Sequence, residues 1–148
     1  MANRKKVIIL GGLGFIGRNL YSNLVQDNYN VTILTDRIDQ SDEPLPAQIR
    51  NNIIVGSILD KEFITSTLKG YDVIFSLAGS SGASDSIKNP YRDLDTNLKG
   101  HLNILEACRQ NNPEALLIFP STRLVYGKPE SNPVSEHHPI RPESIYAI

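Results

Sequence analysis

An aliphatic run, Val7-Ile8-Ile9-Leu10, leads straight into glycines at 11, 14 and 17, and a stretch carrying Leu20, Leu24 and Val25 on one side follows. A short apolar run bounded by glycine reads as a buried strand, and the spacing of the later apolar residues reads as a helix. The segment is therefore strand, tight turn, helix. Gly11 lets the chain turn sharply, Gly14 lets a pyrophosphate approach the backbone, and Gly17 lets the helix lie close to the strand. The helix N-terminus offers unpaired N–H groups and a positive dipole end to such phosphates. The spacing is Gly-x-x-Gly-x-x-Gly rather than Gly-x-Gly-x-x-Gly, which moves the glycines without changing the physics.

The same alternation continues along the chain. Strands are expected at 7–10, 31–35, 53–55, 73–77 and 116–119, and helices at 15–27, near 61–68, and within 90–110. Buried apolar runs alternating with helices indicate an α/β fold: a Rossmann-type, doubly wound parallel sheet. Residues 40–48 are polar and include Pro44 and Pro46, so a surface loop is expected there. Residues 130–142, with Pro133, Pro139 and Pro142, read as a long irregular segment, and such segments are often functional. The chain stops at Ser144-Ile145-Tyr146-Ala147-Ile148 without a stop signal, which reads as an interruption within a helix and a fold truncated before its end.

Composition narrows the function classes. The 148 residues are 40% hydrophobic with a net charge of −1. That size suits one domain, and that charge implies no broad attraction to nucleic acid or anionic membrane. Arg4, Lys5 and Lys6 read as a solvated lead-in to the first strand. Cys108 is the single cysteine, so no disulfide framework and no thiolate metal site is expected. Its place among Leu102, Ile104, Leu105 and Ala107 assigns it to core packing. The apolar start is too short for a signal peptide, and no run approaches the ~20 residues of a membrane span. A cytoplasmic protein is expected. His137 and His138 are adjacent in the proline-rich loop and read as exposed residues rather than metal ligands; no metal site is expected.

An acid about 20 residues beyond such a glycine turn holds the ribose hydroxyls of a nicotinamide dinucleotide. Asp36 stands 19 beyond Gly17, at the end of Val31-Thr32-Ile33-Leu34-Thr35. A carboxylate there accepts two hydroxyl hydrogen bonds and repels a 2′-phosphate, which favours NAD. Arg37 could instead pair with that phosphate, which keeps NADP open.

At this point an ordered series of motifs resembles the extended short-chain dehydrogenases/reductases, in the NAD-dependent epimerase/dehydratase family that acts on nucleotide sugars. Gly11-Gly12-Leu13-Gly14-Phe15-Ile16-Gly17 resembles its cofactor turn. Leu77-Ala78-Gly79 resembles the small-residue turn after its fourth strand. Asn97-Leu98-Lys99-Gly100 resembles its Asn-x-x-Gly, and Pro120-Ser121-Thr122-Arg123-Leu124-Val125-Tyr126-Gly127 its Ser-(Ser/Thr)-x-x-Val-Tyr-Gly segment. Pro142-Glu143-Ser144-Ile145-Tyr146 resembles the approach to its catalytic tyrosine.

The resemblance implies hydride exchange between a sugar carbon and nicotinamide, with Tyr146 as the base and Thr122 holding the substrate oxygen. It implies cofactor contacts from Gly11, Gly14, Phe15, Ile16, Gly17, Asp36, Arg37, Ser57, Ile58, Leu77, Ala78, Gly79 and Asn97. It also implies a lysine four residues after Tyr146, beyond Ile148, and a C-terminal substrate lobe. The chain is thus expected to be the N-terminal part of a longer enzyme, binding cofactor weakly alone and turning over nothing. A homodimer is implied through the helix carrying Asn97.

Further departures qualify the match. Leu10 stands where the family often has threonine, and Ser57 where an aspartate often contacts the adenine amine. Thr35 takes the place many members give their ribose acid. After Thr122, the dehydratases carry Asp-Glu and decarboxylases commonly a glutamate, where this chain has Arg123 and Leu124. Leucine moves no proton and arginine stays protonated. A 4-epimerase is therefore expected, with a 4-ketoreductase or sugar dehydrogenase, or a non-catalytic NAD(P)-binding module, as alternatives.

Overall fold

The computed structural model describes residues 4–39, 47–80 and 82–148. Five parallel strands form one sheet: β1 (Lys6–Leu10), β2 (Asn30–Thr35), β3 (Ile53–Val55), β4 (Val73–Ser76) and β5 (Leu116–Ile118), in the order β3-β2-β1-β4-β5. β1 pairs in register with β2 (Ile8 with Thr32) and with β4 (Ile8 with Ile74). The chain therefore winds outward from β1 to β3, then returns to start β4 on the other side of β1. The C-terminal ends of β1 and β4 flank the crevice created by that reversal, where ligands bind in open α/β sheets.

Side chains alternate across the pleat, so β1 feeds two cores. Ile8 and Leu10 join Leu34, Ile58, Ile64, Leu68, Ile74 and Ile104 on one face. Val7 and Ile9 join Leu13, Tyr21, Val31 and Ile33 on the other. This two-sided burial explains why β1 is apolar at every position from Val7 to Leu10 rather than alternating.

The helices are α1 (Phe15–Gln26), α2 (Ala47–Arg50), α3 (Lys61–Thr67), α4 (Ala83–Lys88), α5 (Pro90–Asp93) and α6 (His101–Asn111), with a π-helical segment, Leu94–Gly100, joining α5 to α6. Four differences from the sequence reading stand out. α1 turns Tyr21 into the core with Leu20 and Leu24 beside it, while Val25 is exposed; the apolar stripe is centred one residue away from the expected one. The expected loop at 40–48 overlaps α2, which begins at Ala47; positions 40–46 lie outside the described residues. The long helix at 90–110 is interrupted by the π segment. Residues 144–148 carry a short 3-10 turn, Ile145–Ala147, in place of the expected helix. Cys108 packs against the core beside Ile104 and Ala107, and burial raises its thiol pKa. Among the described residues, no helix is long and apolar enough to cross a membrane.

Candidate functional site

A cavity of about 630 Å3 opens at the C-terminal ends of the strands. Gly11 and Gly14 line it from the turn after β1, and Thr35, Asp36 and Arg37 from the end of β2. Residues 56–59 follow β3, residues 77–80 follow β4, and Arg92, Asp95 and Thr96 come from the opposing helix.

Two glycines bring these walls together. Gly11 has φ of +77°, and a Cβ there would lie 2.7 Å from the Cα of Ala78. The turn after β1 therefore touches the turn after β4 through bare backbone. A Cβ on Gly17 would lie 2.5 Å from the Cα of Gly12, so α1 packs its first turn directly on the loop that precedes it. Gly14 caps α1 without a side-chain hydrogen bond, and its first turn carries no acid. The positive end of the α1 dipole is thus left for an external anion. Phe15 and Ile16 are 86% and 59% exposed and lie off the cavity lining, so what they can offer an anion is backbone N–H.

The end of β2 supplies opposite charges. Thr35 is buried, and its hydroxyl donates to the Arg37 carbonyl at 2.8 Å. The Arg37 guanidinium lies 2.8 Å from Asp39 and 3.6 Å from Asp36. Arg37 is thereby held among carboxylates, and Asp36 stays on the cavity wall. Both are more than half exposed, so these pairs contribute little to stability.

Asn97 sits behind the wall rather than on it. Its Oδ1 accepts from the Ser80 N–H at 2.8 Å, and its Nδ2 donates to the Ser80 carbonyl and to Asp93, each at 2.9 Å. It clamps the turn after β4 to the helix, and Asp93, 3% exposed, completes the clamp. Asn97 thus shapes the cavity by holding Gly79 and Ser80.

One turn on, both ring nitrogens of His101 are buried without a hydrogen-bond partner among the described residues, and its ring meets Phe119 edge-on at 4.8 Å. Burial lowers its pKa; the nearby carbonyls of Asn97, Thr96 and Ser76 oppose the shift without reaching hydrogen-bond geometry.

Thr122 and Tyr146 lie off the cavity lining. Thr122 caps a 3-10 turn, Arg123–Tyr126, by accepting from the Leu124 N–H at 3.3 Å. That turn packs against Ile145–Ala147, so two segments far apart in sequence are neighbours in space. Between them the proline-rich segment folds back: the Arg141 N–H donates to the Val125 carbonyl at 2.9 Å, and Arg141 pairs with Glu130 at 2.8 Å. His138 belongs to this closure rather than to a solvated loop. Its Nε2 accepts from the Glu130 N–H at 3.1 Å and its ring meets Tyr126 edge-on; His137 is exposed.

The family model described as the NAD dependent epimerase/dehydratase family matches residues 7–148. The chain belongs to this family. The bifunctional UDP-glucose 4-epimerase and UDP-xylose 4-epimerase 1 of Pisum sativum is 29% identical over 160 residues, covering 99% of this chain and 45% of that protein. The UDP-N-acetyl-alpha-D-glucosaminuronate decarboxylase of Bacillus cytotoxicus is 35% identical over 127 residues, covering 84% of this chain and 39% of the relative. The crystal structure of Thermus thermophilus UDP-glucose 4-epimerase complexed with NAD superposes with a TM-score of 0.84 at 30% identity, covering 96% of this chain and 46% of that one. The chain thus spans less than half the length of these relatives. The family's NAD suits the cavity on the chain's own chemistry: an uncapped helix N-terminus for phosphates, bare backbone at Gly11, and a carboxylate at the end of β2 for ribose hydroxyls.

The sequence reading missed Arg92, Asp95 and Thr96 as cavity residues. They carry no local signal, because the phase of the helix relative to the sheet is set by tertiary packing.

Proposed function

We propose that this chain is the cofactor-binding half of an NAD-dependent nucleotide-sugar 4-epimerase. The observation that carries the reading is one cavity, at the reversal of strand order, shared by the glycine turn, the turn after β4 and Asp36. The names of several relatives, UDP-glucose 4-epimerases among them, support the reaction class. Leu124, which moves no proton, argues against dehydratase and decarboxylase chemistry at that position.

Bound NAD would supply a hydride acceptor and donor. Gly11, Gly14 and the first-turn amides of α1 would hold its phosphates, and Asp36 its adenosine ribose. Tyr146 takes the proton of the sugar hydroxyl, and Thr122 holds that oxygen beside it. Packing between the 3-10 turns that carry them supports this pairing.

The partner is a second copy of the chain. Tyr91, Leu94, Leu98, Leu102 and Leu105 form an exposed apolar stripe along one face of α5, the π segment and α6, of the kind that marks an interface.

The test is Tyr146→Phe in the enzyme carrying its substrate lobe. We expect loss of nucleotide-sugar epimerisation with NAD affinity retained. Retained turnover, or loss of NAD binding with the fold intact, would remove Tyr146 from this role.

A further inference from the structure

The dinucleotide cavity has one wall that the glycine turn does not explain. Asp95 and Thr96 line it from the π segment, facing residues 56–59 after β3. Two contacts lock that segment's C-terminal side against the β3 loop. A Cβ on Gly100 would lie 2.5 Å from Cδ1 of Ile58, and the Asn103 side chain donates to the Ile58 carbonyl at 3.0 Å.

The π geometry decides which residue falls below Gly100. An α-helix places positions three and four residues apart on one face, whereas a π turn closes at five. Asp95 is five residues before Gly100, so the wider turn carries it onto the side that meets the loop. π segments of this kind recur at functional sites.

On the β3 loop, Ser57 lines the same cavity with an uncharged hydroxyl, whose Oγ accepts the Leu59 N–H at 3.1 Å within its own turn. The charged groups on this wall are Asp95 and Arg92; across from them are Asp36 and Arg37, and Arg37 lies among carboxylates. Asp95 pairs with Lys99 at 3.9 Å, with both side chains more than half exposed, so that pair is weak.

Resting on the reading that NAD occupies this cavity, we propose that Asp95 reads the purine base, its carboxylate accepting a hydrogen bond from the exocyclic amine of adenine. Asp36, at the end of β2, would hold the ribose. The base, one bond further out, would then reach toward β3, the outer strand beside β2, where Asp95 and the β3 loop line the same cavity. A carboxylate accepts and cannot donate, so it distinguishes an amine from a carbonyl at that position.

The test uses NAD and its deaminated analogue, nicotinamide hypoxanthine dinucleotide, which carries a carbonyl in place of the amine. Binding of each to the enzyme carrying its substrate lobe is measured by titration calorimetry. Wild type is expected to bind the analogue about tenfold more weakly than NAD, the scale of one charge-assisted hydrogen bond on a partly solvated wall. Asp95→Asn, whose amide can donate or accept, is expected to bring the two affinities to within about twofold. Asp95→Ala is expected to weaken NAD while leaving the analogue unchanged, with thermal melts confirming that each variant is folded. Equal affinity of wild type for both ligands, or equal loss for both in Asp95→Asn, would overturn the base-reading role while leaving the cofactor site standing. Failure of wild type to bind either dinucleotide would overturn both.

Discussion

Replacing Asn97 with aspartate should unfasten the wall of the cavity and most of the fold behind it. The substitution keeps shape and the acceptor for the Ser80 N–H. It converts both Nδ2 donations, to the Ser80 carbonyl and to Asp93 at 2.9 Å each, into contacts between acceptors. Each lost bond contributes about 1 kcal/mol net. Two carboxylate charges about 4 Å apart at an effective dielectric of about 20 repel by about 4 kcal/mol. Asp93 is 3% exposed and cannot turn to water. The expected loss is about 4–6 kcal/mol, comparable to the whole stability of a small domain. Urea denaturation followed by circular dichroism would compare wild type, Asn97→Asp, Asp93→Asn and the double variant. In the double variant the amide and carboxylate exchange places, the repulsion vanishes, and stability should return to within about 2 kcal/mol of wild type. A single variant Asn97→Asp within about 1 kcal/mol of wild type, or a double variant no more stable than that single one, would refute the clamp.

Three further outcomes follow from the geometry. Gly17→Ala places a Cβ 2.5 Å from Gly12 backbone, which should cost about 1–3 kcal/mol of stability, partly offset by about 1 kcal/mol of helix propensity. It should also weaken NAD, since α1 must move; unchanged NAD affinity by calorimetry would count against the packing argument. Burial lowers the His101 pKa, so between its folded value and the ordinary value near 6.5 the unfolded chain holds the extra proton. Stability is therefore full above that ordinary value and declines as pH falls below it, by at most about 1.4 kcal/mol per pH unit. Urea midpoints at pH 7.5 and 5.5 should fall further for wild type than for His101→Gln, and parallel declines would contradict the assignment. Asp36→Ala should weaken NAD more than NADP; an equal loss for both, measured by titration, would take Asp36 out of the ribose site.

Much of the site could be read locally because its chemistry is local. Gly11 needs a positive φ within its own turn, and the acid at the end of β2 sits at a fixed distance along the chain from it. Phe15 and Ile16 follow the turn in sequence, yet both lie off the cavity lining. Asn97 was legible as part of Asn-x-x-Gly, yet its work is to hold Ser80 and Asp93 rather than face the cavity. Sequence spacing marks the residue but not the direction of its side chain.

By itself the sequence determined the strands, the parallel α/β class and the phosphate turn, because apolar runs buried on both faces and glycines under steric compulsion leave few alternatives. The tertiary structure alone decided the opposite wall. Gly100 seats against Ile58, and the π segment that ends at Gly100 carries Asp95 on the cavity lining. The burial of His101 has the same origin: no periodicity announces it, since it follows from the approach of Phe119 and the end of β4 to one helix face. Local sterics act over a few residues and are written in the chain, whereas the phase between packed elements is a property of their contact.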